Sequence, residues 1–147
     1  MTAAAALTFA ALRALAVKHG FADPDTAAAV AMAESMGRPD ATLVVTRDQA
    51  DAYNASHDTG TRHGPERSFG LWQINTLAHP GLDESKLLDP EYNATAAYLI
   101  SNGGKDWRPW STYTSGAYRR FMPPATVDDL APNATALLEP DPGDTQG

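Results

Sequence analysis

Two carboxylates and one amide stand out as residues whose type and setting suit chemistry. Glu34 closes the stretch Thr26 to Ala33, which is nearly all alanine with Val30 and Met32. A carboxylate at a helix C-terminus meets partial negative charge, and an apolar surround penalises its ionised form, so both effects push its pKa up. A carboxylic acid that keeps its proton near neutral pH suits glycosidic cleavage, where the leaving sugar oxygen must receive a proton. The plainer alternative is a solvated glutamate paired with Arg38, four residues on. Glu66 is the best-placed second carboxylate, with Asp58 in reserve, and its plain alternative is an ion pair with Arg67 or Arg62. Gln73 can donate and accept hydrogen bonds, as the N-acetyl and hydroxyl groups of an amino sugar require, and Gly70 allows close backbone approach to a ligand. Trp72, Trp107, Trp110, Tyr113 and Tyr118 offer flat faces for sugar rings, although such aromatics more often fill a core. His57, Asp58, His63 and Glu66 fall in one segment, but their spacing matches no metal-ligand pattern. No metal and no cofactor is expected.

The elements that must hold these groups are mostly helical. Phe9, Leu12, Leu15 and Ala16 recur at helical spacing before Gly20, which predicts a first amphipathic helix. Asp23 as cap, Pro24 in the first turn and Gly37 just beyond predict a second, buried helix over Pro24 to Met36, ending at Glu34 and its neighbours. Thr42 to Thr46 reads as a strand, and the polar stretch from Arg38 to Arg67, broken by Gly60 and Gly64, as a hairpin or long loop. Gly70 to Ala78 reads as a short apolar helix or turn. Asp89-Pro90 opens another helix through Ile100, stopped at Gly103 and Gly104, and a short one is expected over Gly116 to Phe121.

Composition narrows the function classes. The 147 residues fit one domain, and 43% hydrophobic with 20% charged residues is ordinary for a chain that buries a core. Absent cysteine excludes a disulfide framework, a thiolate metal site and a cysteine nucleophile. A net charge of -7 repels phosphate backbones, so nucleic acid is not an expected partner. The alanine-rich N-terminus has no positive region ahead of its apolar run, and Arg13 and Lys18 interrupt that run, which argues against an export signal. No stretch has the apolar length of a membrane span. Beyond Pro123-Pro124 the composition becomes that of an acidic, proline-rich tail or linker.

Glu34-Ser35 followed by Gly70-Leu71-Trp72-Gln73-Ile74-Asn75 resembles the two-part signature of the soluble lytic transglycosylase and goose-type lysozyme superfamily. In that family a Glu-Ser pair ends a helix and the Gly-Leu-Met/Trp-Gln-Ile/Val segment lines the sugar cleft opposite. Leu87-Leu88-Asp89-Pro90, Asn93 and Ala97-Tyr98-Leu99 are similar to the family's next helix. Trp110-Ser111-Thr112-Tyr113 stands where the family carries tryptophan ahead of a Tyr-Asn-Ala-Gly motif. Four motifs in one order are far more specific than any one alone, and the resemblance covers Phe9 to Phe121. The wording Ser68-Phe69-Gly70-Leu71-Trp72 and Trp110-Ser111-Thr112-Tyr113 is similar to phage-encoded members.

The resemblance implies a mainly α (α+β) lysozyme-like fold with a small β-hairpin insertion over residues 1–122, followed by a tail over 123–147. It implies cleavage of the β-1,4 bond between N-acetylmuramic acid and N-acetylglucosamine in peptidoglycan glycan strands, with Glu34 as general acid. Ser35, Ser68, Gly70, Trp72, Gln73 and Asn75 are then expected to bind substrate, and the Tyr113 hydroxyl to lie near the acid. Two departures bear on the site: a long insertion before Gly70, and Thr114 where the family has asparagine. Glu66 tips the expectation toward hydrolysis. The alternatives are a lytic transglycosylase giving 1,6-anhydro products, and a non-catalytic wall-binding or tail module. A phage tail assembly or further domains are possible partners, and a phage virion or the bacterial wall the expected location.

Overall fold

The computed structural model describes residues 5–57 and 62–124. Asp58, Gly60 and the tail from residue 125 lie outside the described residues, so the reserve carboxylate and the expected tail have no structural account.

The first two helices form as their end signals dictate. Helix α1 (Phe9–Lys18) is capped by the Thr8 hydroxyl, which accepts from Ala11 N at 3.1 Å. It ends in a Schellman motif: Gly20 takes φ +81°, Gly20 N–H donates to Val17 O and Phe21 N–H to Ala16 O. Its buried face is Leu12, Leu15 and Ala16. Helix α2 (Pro24–Ser35) starts at Asp23, whose carboxylate accepts from Thr26 N and the Thr26 hydroxyl. Ala27 to Ala31 are fully buried, as an alanine-rich helix without a polar face must be. Met36 and Gly37 at φ +55° and +78° then turn the chain away.

The insertion is a three-stranded antiparallel sheet in the order β1-β2-β3, formed by Thr42–Val45, Glu66–Phe69 and Ile74–Asn75. β1 and β2 pair as expected of a hairpin, with Val45 opposite Glu66 and Thr42 opposite Phe69. Their connection carries a helix, however: α3 (Arg47–Ser56) opens on a capping box in which Thr46 and Gln49 each satisfy the other's backbone N–H. The segment from Gly70 is no helix. It is a tight turn leading into β3, which pairs Ile74 with Phe69 and Asn75 with Ser68.

Helix α4 (Pro90–Ile100) is capped by Asp89 and also ends in a Schellman motif, with Asn102 as the left-handed residue. Short turns follow: α5 (Ser111–Thr114) and a 3-10 turn over Ala117–Phe121. The core between these elements is an aromatic ladder. Phe21 lies parallel to Trp72 and Trp107 at 5.6 and 5.8 Å, and Trp107 tilts against Trp110 at 4.9 Å. The result is a mainly helical domain with one small sheet.

Candidate active site

Glu34 sits in the last turn of α2 and lines a cleft of about 290 Å³. Burial pushes its carboxyl above the ordinary value of 4.5, the Glu66 charge pushes in the same direction, and a hydrogen bond from Thr112 opposes them. That bond runs from Thr112 Oγ1 to Glu34 Oε2 at 2.7 Å. Among the described residues no cation lies within ion-pair distance of Glu34, and Arg38 is exposed without pairing to it. Glu34 is thus a half-buried acid and not half of a surface ion pair.

The part of the lining that the sheet supplies follows from strand alternation. Successive side chains of a strand point to opposite faces, and directly paired residues share one. Glu66, Ser68 and Asn75, the partner of Ser68, therefore share the face that lines the cleft. The Ser68 hydroxyl donates to Glu66 Oε2 at 2.7 Å along that face. Arg67 points the other way, where its guanidinium grips both oxygens of Glu84 at 2.8 Å. The expected pairing of Glu66 with Arg67 is thereby replaced, and β2 is anchored from behind. Glu84 also accepts from Thr76, and together these partners hold its carboxyl down at about 2.

Gln73 has φ +47°, a conformation that costs a non-glycine residue roughly 1–2 kcal/mol. Its own side chain offsets this: Nε2 donates to Ala41 O and Gly70 O, both at 3.0 Å. The amide nitrogen is committed to the turn, so what Gln73 presents to the cleft it lines is an acceptor, Oε1. Ile74, Ala78, Ile100, Pro109 and Trp110 supply apolar lining, with His79 and Ser111 beside them.

Four of the residues expected to contact sugar make close contacts within the protein. Trp72 is fully buried and its indole N–H donates to Ala27 O at 3.0 Å, because the aromatic ladder needs its ring inside. Gly70 does permit close approach, but of the Asn93 amide and Leu87 O from within the protein. Ser35 is buried and donates to Ala31 O while accepting from Gly37 N, which terminates α2. Tyr113 stacks on Tyr118 at 4.8 Å, and the hydroxyl that bonds Glu34 is that of its neighbour Thr112. Glu34, Glu66, Ser68, Gln73 and Asn75 do come together. Thr112 and Ser111 lie in a run of hydroxyl residues whose sequence gives no sign of which one faces the acid, and His79 stands outside every motif.

The raised Glu34 pKa has a stability consequence. A carboxyl that holds its proton more tightly when folded contributes stability that is fully present below the unfolded value of 4.5 and is lost as pH rises through the folded value. Glu34→Gln, which cannot ionise, should therefore melt above the wild type at neutral pH, with the gap closing below pH 4.5. Thermal melts across that range check it, and a variant less stable than wild type at pH 7 would show that the ionised form is well accommodated.

A family model described as a lysozyme-like domain matches residues 13–112, a span that includes both Glu34 and Thr112. No curated protein and no solved structure matches the chain.

Proposed function

Because the chain belongs to the lysozyme-like domain family, we propose that it cleaves peptidoglycan glycan strands at the β-1,4 bond between N-acetylmuramic acid and N-acetylglucosamine. The observation that carries this reading is Glu34, a carboxyl whose pKa burial raises and which pairs with no cation among the described residues, opening on a cleft lined by both polar and apolar side chains. Glu34 gives its proton to the glycosidic oxygen as that bond breaks. The resulting carboxylate then takes the proton of the sugar's own 6-hydroxyl as that oxygen bonds to the anomeric carbon, which regenerates the acid and leaves a 1,6-anhydro end. Family kinship with soluble lytic transglycosylases favours this single-carboxylate route over hydrolysis.

Hydrolysis remains the second reading because Glu66 lines the same cleft and could activate water. Under the favoured route Glu66→Gln keeps turnover within about tenfold of wild type, since no base for water is required. A loss on the order of a hundredfold or more, with reducing-ended products, would assign Glu66 as the general base. Release of soluble fragments from purified sacculi tests the activity itself; binding without release would favour a wall-binding module. A chain of net charge -7 gains nothing from attraction to an anionic wall. We place it at the wall through tethering, by its tail, by further domains or on a phage particle.

A further inference from the structure

We propose that Thr112 is a positioning residue for Glu34, fixing the carboxyl through Oε2 so that Oε1 is the oxygen that exchanges the proton with substrate. The inference rests on Glu34 being the acid of the proposed reaction. Its geometry is a single bond across 78 residues of sequence, from Oγ1 in α5 to Oε2 at the end of α2, at 2.7 Å. Among the described residues no other hydrogen bond reaches the Glu34 side chain, so Oε1 is the oxygen without a protein partner.

The hydroxyl is held where it can act. Trp110, just ahead of α5, donates its indole N–H to Trp72 O at 2.7 Å, which ties α5 to the turn before Gln73. Tyr113 and Thr114 N–H close the short helix onto Trp110 O. The β-branch of threonine limits χ1 to few rotamers in a helix, and the bond to Glu34 Oε2 selects among them.

A hydroxyl has one proton to donate, and here it goes to Oε2. While Oε1 is protonated, Oε2 is an ordinary carbonyl acceptor. As the Oε1 proton moves to the leaving sugar oxygen, negative charge spreads over both oxygens and the Thr112 bond becomes charge-assisted. Thr112 thus stabilises the carboxylate as it forms, opposing the burial that favours the neutral acid. An interaction stronger in the transition state than in the ground state acts on kcat and leaves KM alone.

The test uses the full chain with Thr112→Val, which keeps shape and loses the hydroxyl, and Thr112→Ser, which restores it. The Glu34 carboxyl is titrated by carbon NMR, its resonance identified by its loss in Glu34→Gln, and kcat and KM are measured on purified glycan strands. Thr112→Val should raise the Glu34 pKa and lower kcat about tenfold with KM unchanged, the scale of one charge-assisted hydrogen bond. Thr112→Ser should return both toward wild type. An unmoved Glu34 pKa in Thr112→Val, or a fall in kcat that serine does not rescue, would overturn the proposal. If the valine variant does not fold, Thr112→Ala is read in the same way. Should the wild type cleave no glycan, the proposed reaction fails on its own terms, and the titration alone still decides whether Thr112 sets the Glu34 carboxyl.

Discussion

Glu34→Gln is expected to reduce glycan cleavage by roughly a thousandfold, the middle of the range for losing a positioned acid or base, while the chain remains folded. The amide matches the carboxyl in shape and can still accept from Thr112 through its carbonyl oxygen, so the contact that orients the side chain survives. What is lost is the transferable proton, and in the single-carboxylate route it is lost twice, because the same group must later accept a proton from the 6-hydroxyl. Neither function passes to Glu66, whose Oε2 is already engaged by Ser68. Rates of fragment release from sacculi, with a thermal melt as folding control, measure the effect. Activity within a few fold of wild type would remove Glu34 from the mechanism.

Asn93→Ala is expected to destabilise the fold by about 3–5 kcal/mol, a large effect for a residue outside the cleft. Asn93 is fully buried in α4, and its side chain satisfies three backbone groups at once. Nδ2 donates to Phe69 O and Leu87 O, and Oδ1 accepts from Trp72 N, each at 2.9 Å. Alanine leaves all three groups buried and unpaired, each costing about 1–3 kcal/mol less whatever relaxation or water recovers. Two of these groups, Phe69 O and Trp72 N, belong to the β2–β3 turn, so the cleft wall bearing Ser68, Gln73 and Asn75 should loosen as well. Gly70→Ala should act on the same joint, because a methyl there would overlap the Asn93 amide in a backbone conformation that alanine already resists. Denaturant unfolding measures the loss, and a change below about 1 kcal/mol would mean that water replaces the amide at little cost.

The helices are legible in the sequence wherever their ends carry specific chemistry. Asp23-Pro24 and Asp89-Pro90 mark the starts of α2 and α4, and Gly20 and Gly37 mark stops, because only certain residues satisfy a helix end or take positive φ there. Helix α3 carries a signal too, Thr46 and Gln49 at capping-box spacing, but in a stretch otherwise polar enough to pass for loop. β3 had none. At two residues it is too short for alternation to be seen, and it exists because β2 offers it an edge.

The acid was legible for a physical reason, since one carboxylate in a wall of alanine can be accommodated only by holding its proton or by finding a partner. The cleft around it was less so. Trp72 stands among cleft residues in the chain, yet its ring goes inward, because the turn from Gly70 to Gln73 follows neither strand nor helix periodicity. Thr112 and Tyr113 are adjacent on a one-turn helix, where neighbours point about 100° apart. Which hydroxyl faces Glu34 depends on the phase of that turn, and the phase is set by Trp110 bonding to Trp72 O across the core.

The central claim, that Glu34 cleaves glycan strands without a second carboxylate, is tested most directly by mass spectrometry of the muropeptides that the full chain releases from purified sacculi. The account predicts 1,6-anhydromuramyl ends in the wild-type digest and their loss with Glu34→Gln. Reducing ends in their place, or sacculi left intact by the wild type, would contradict it.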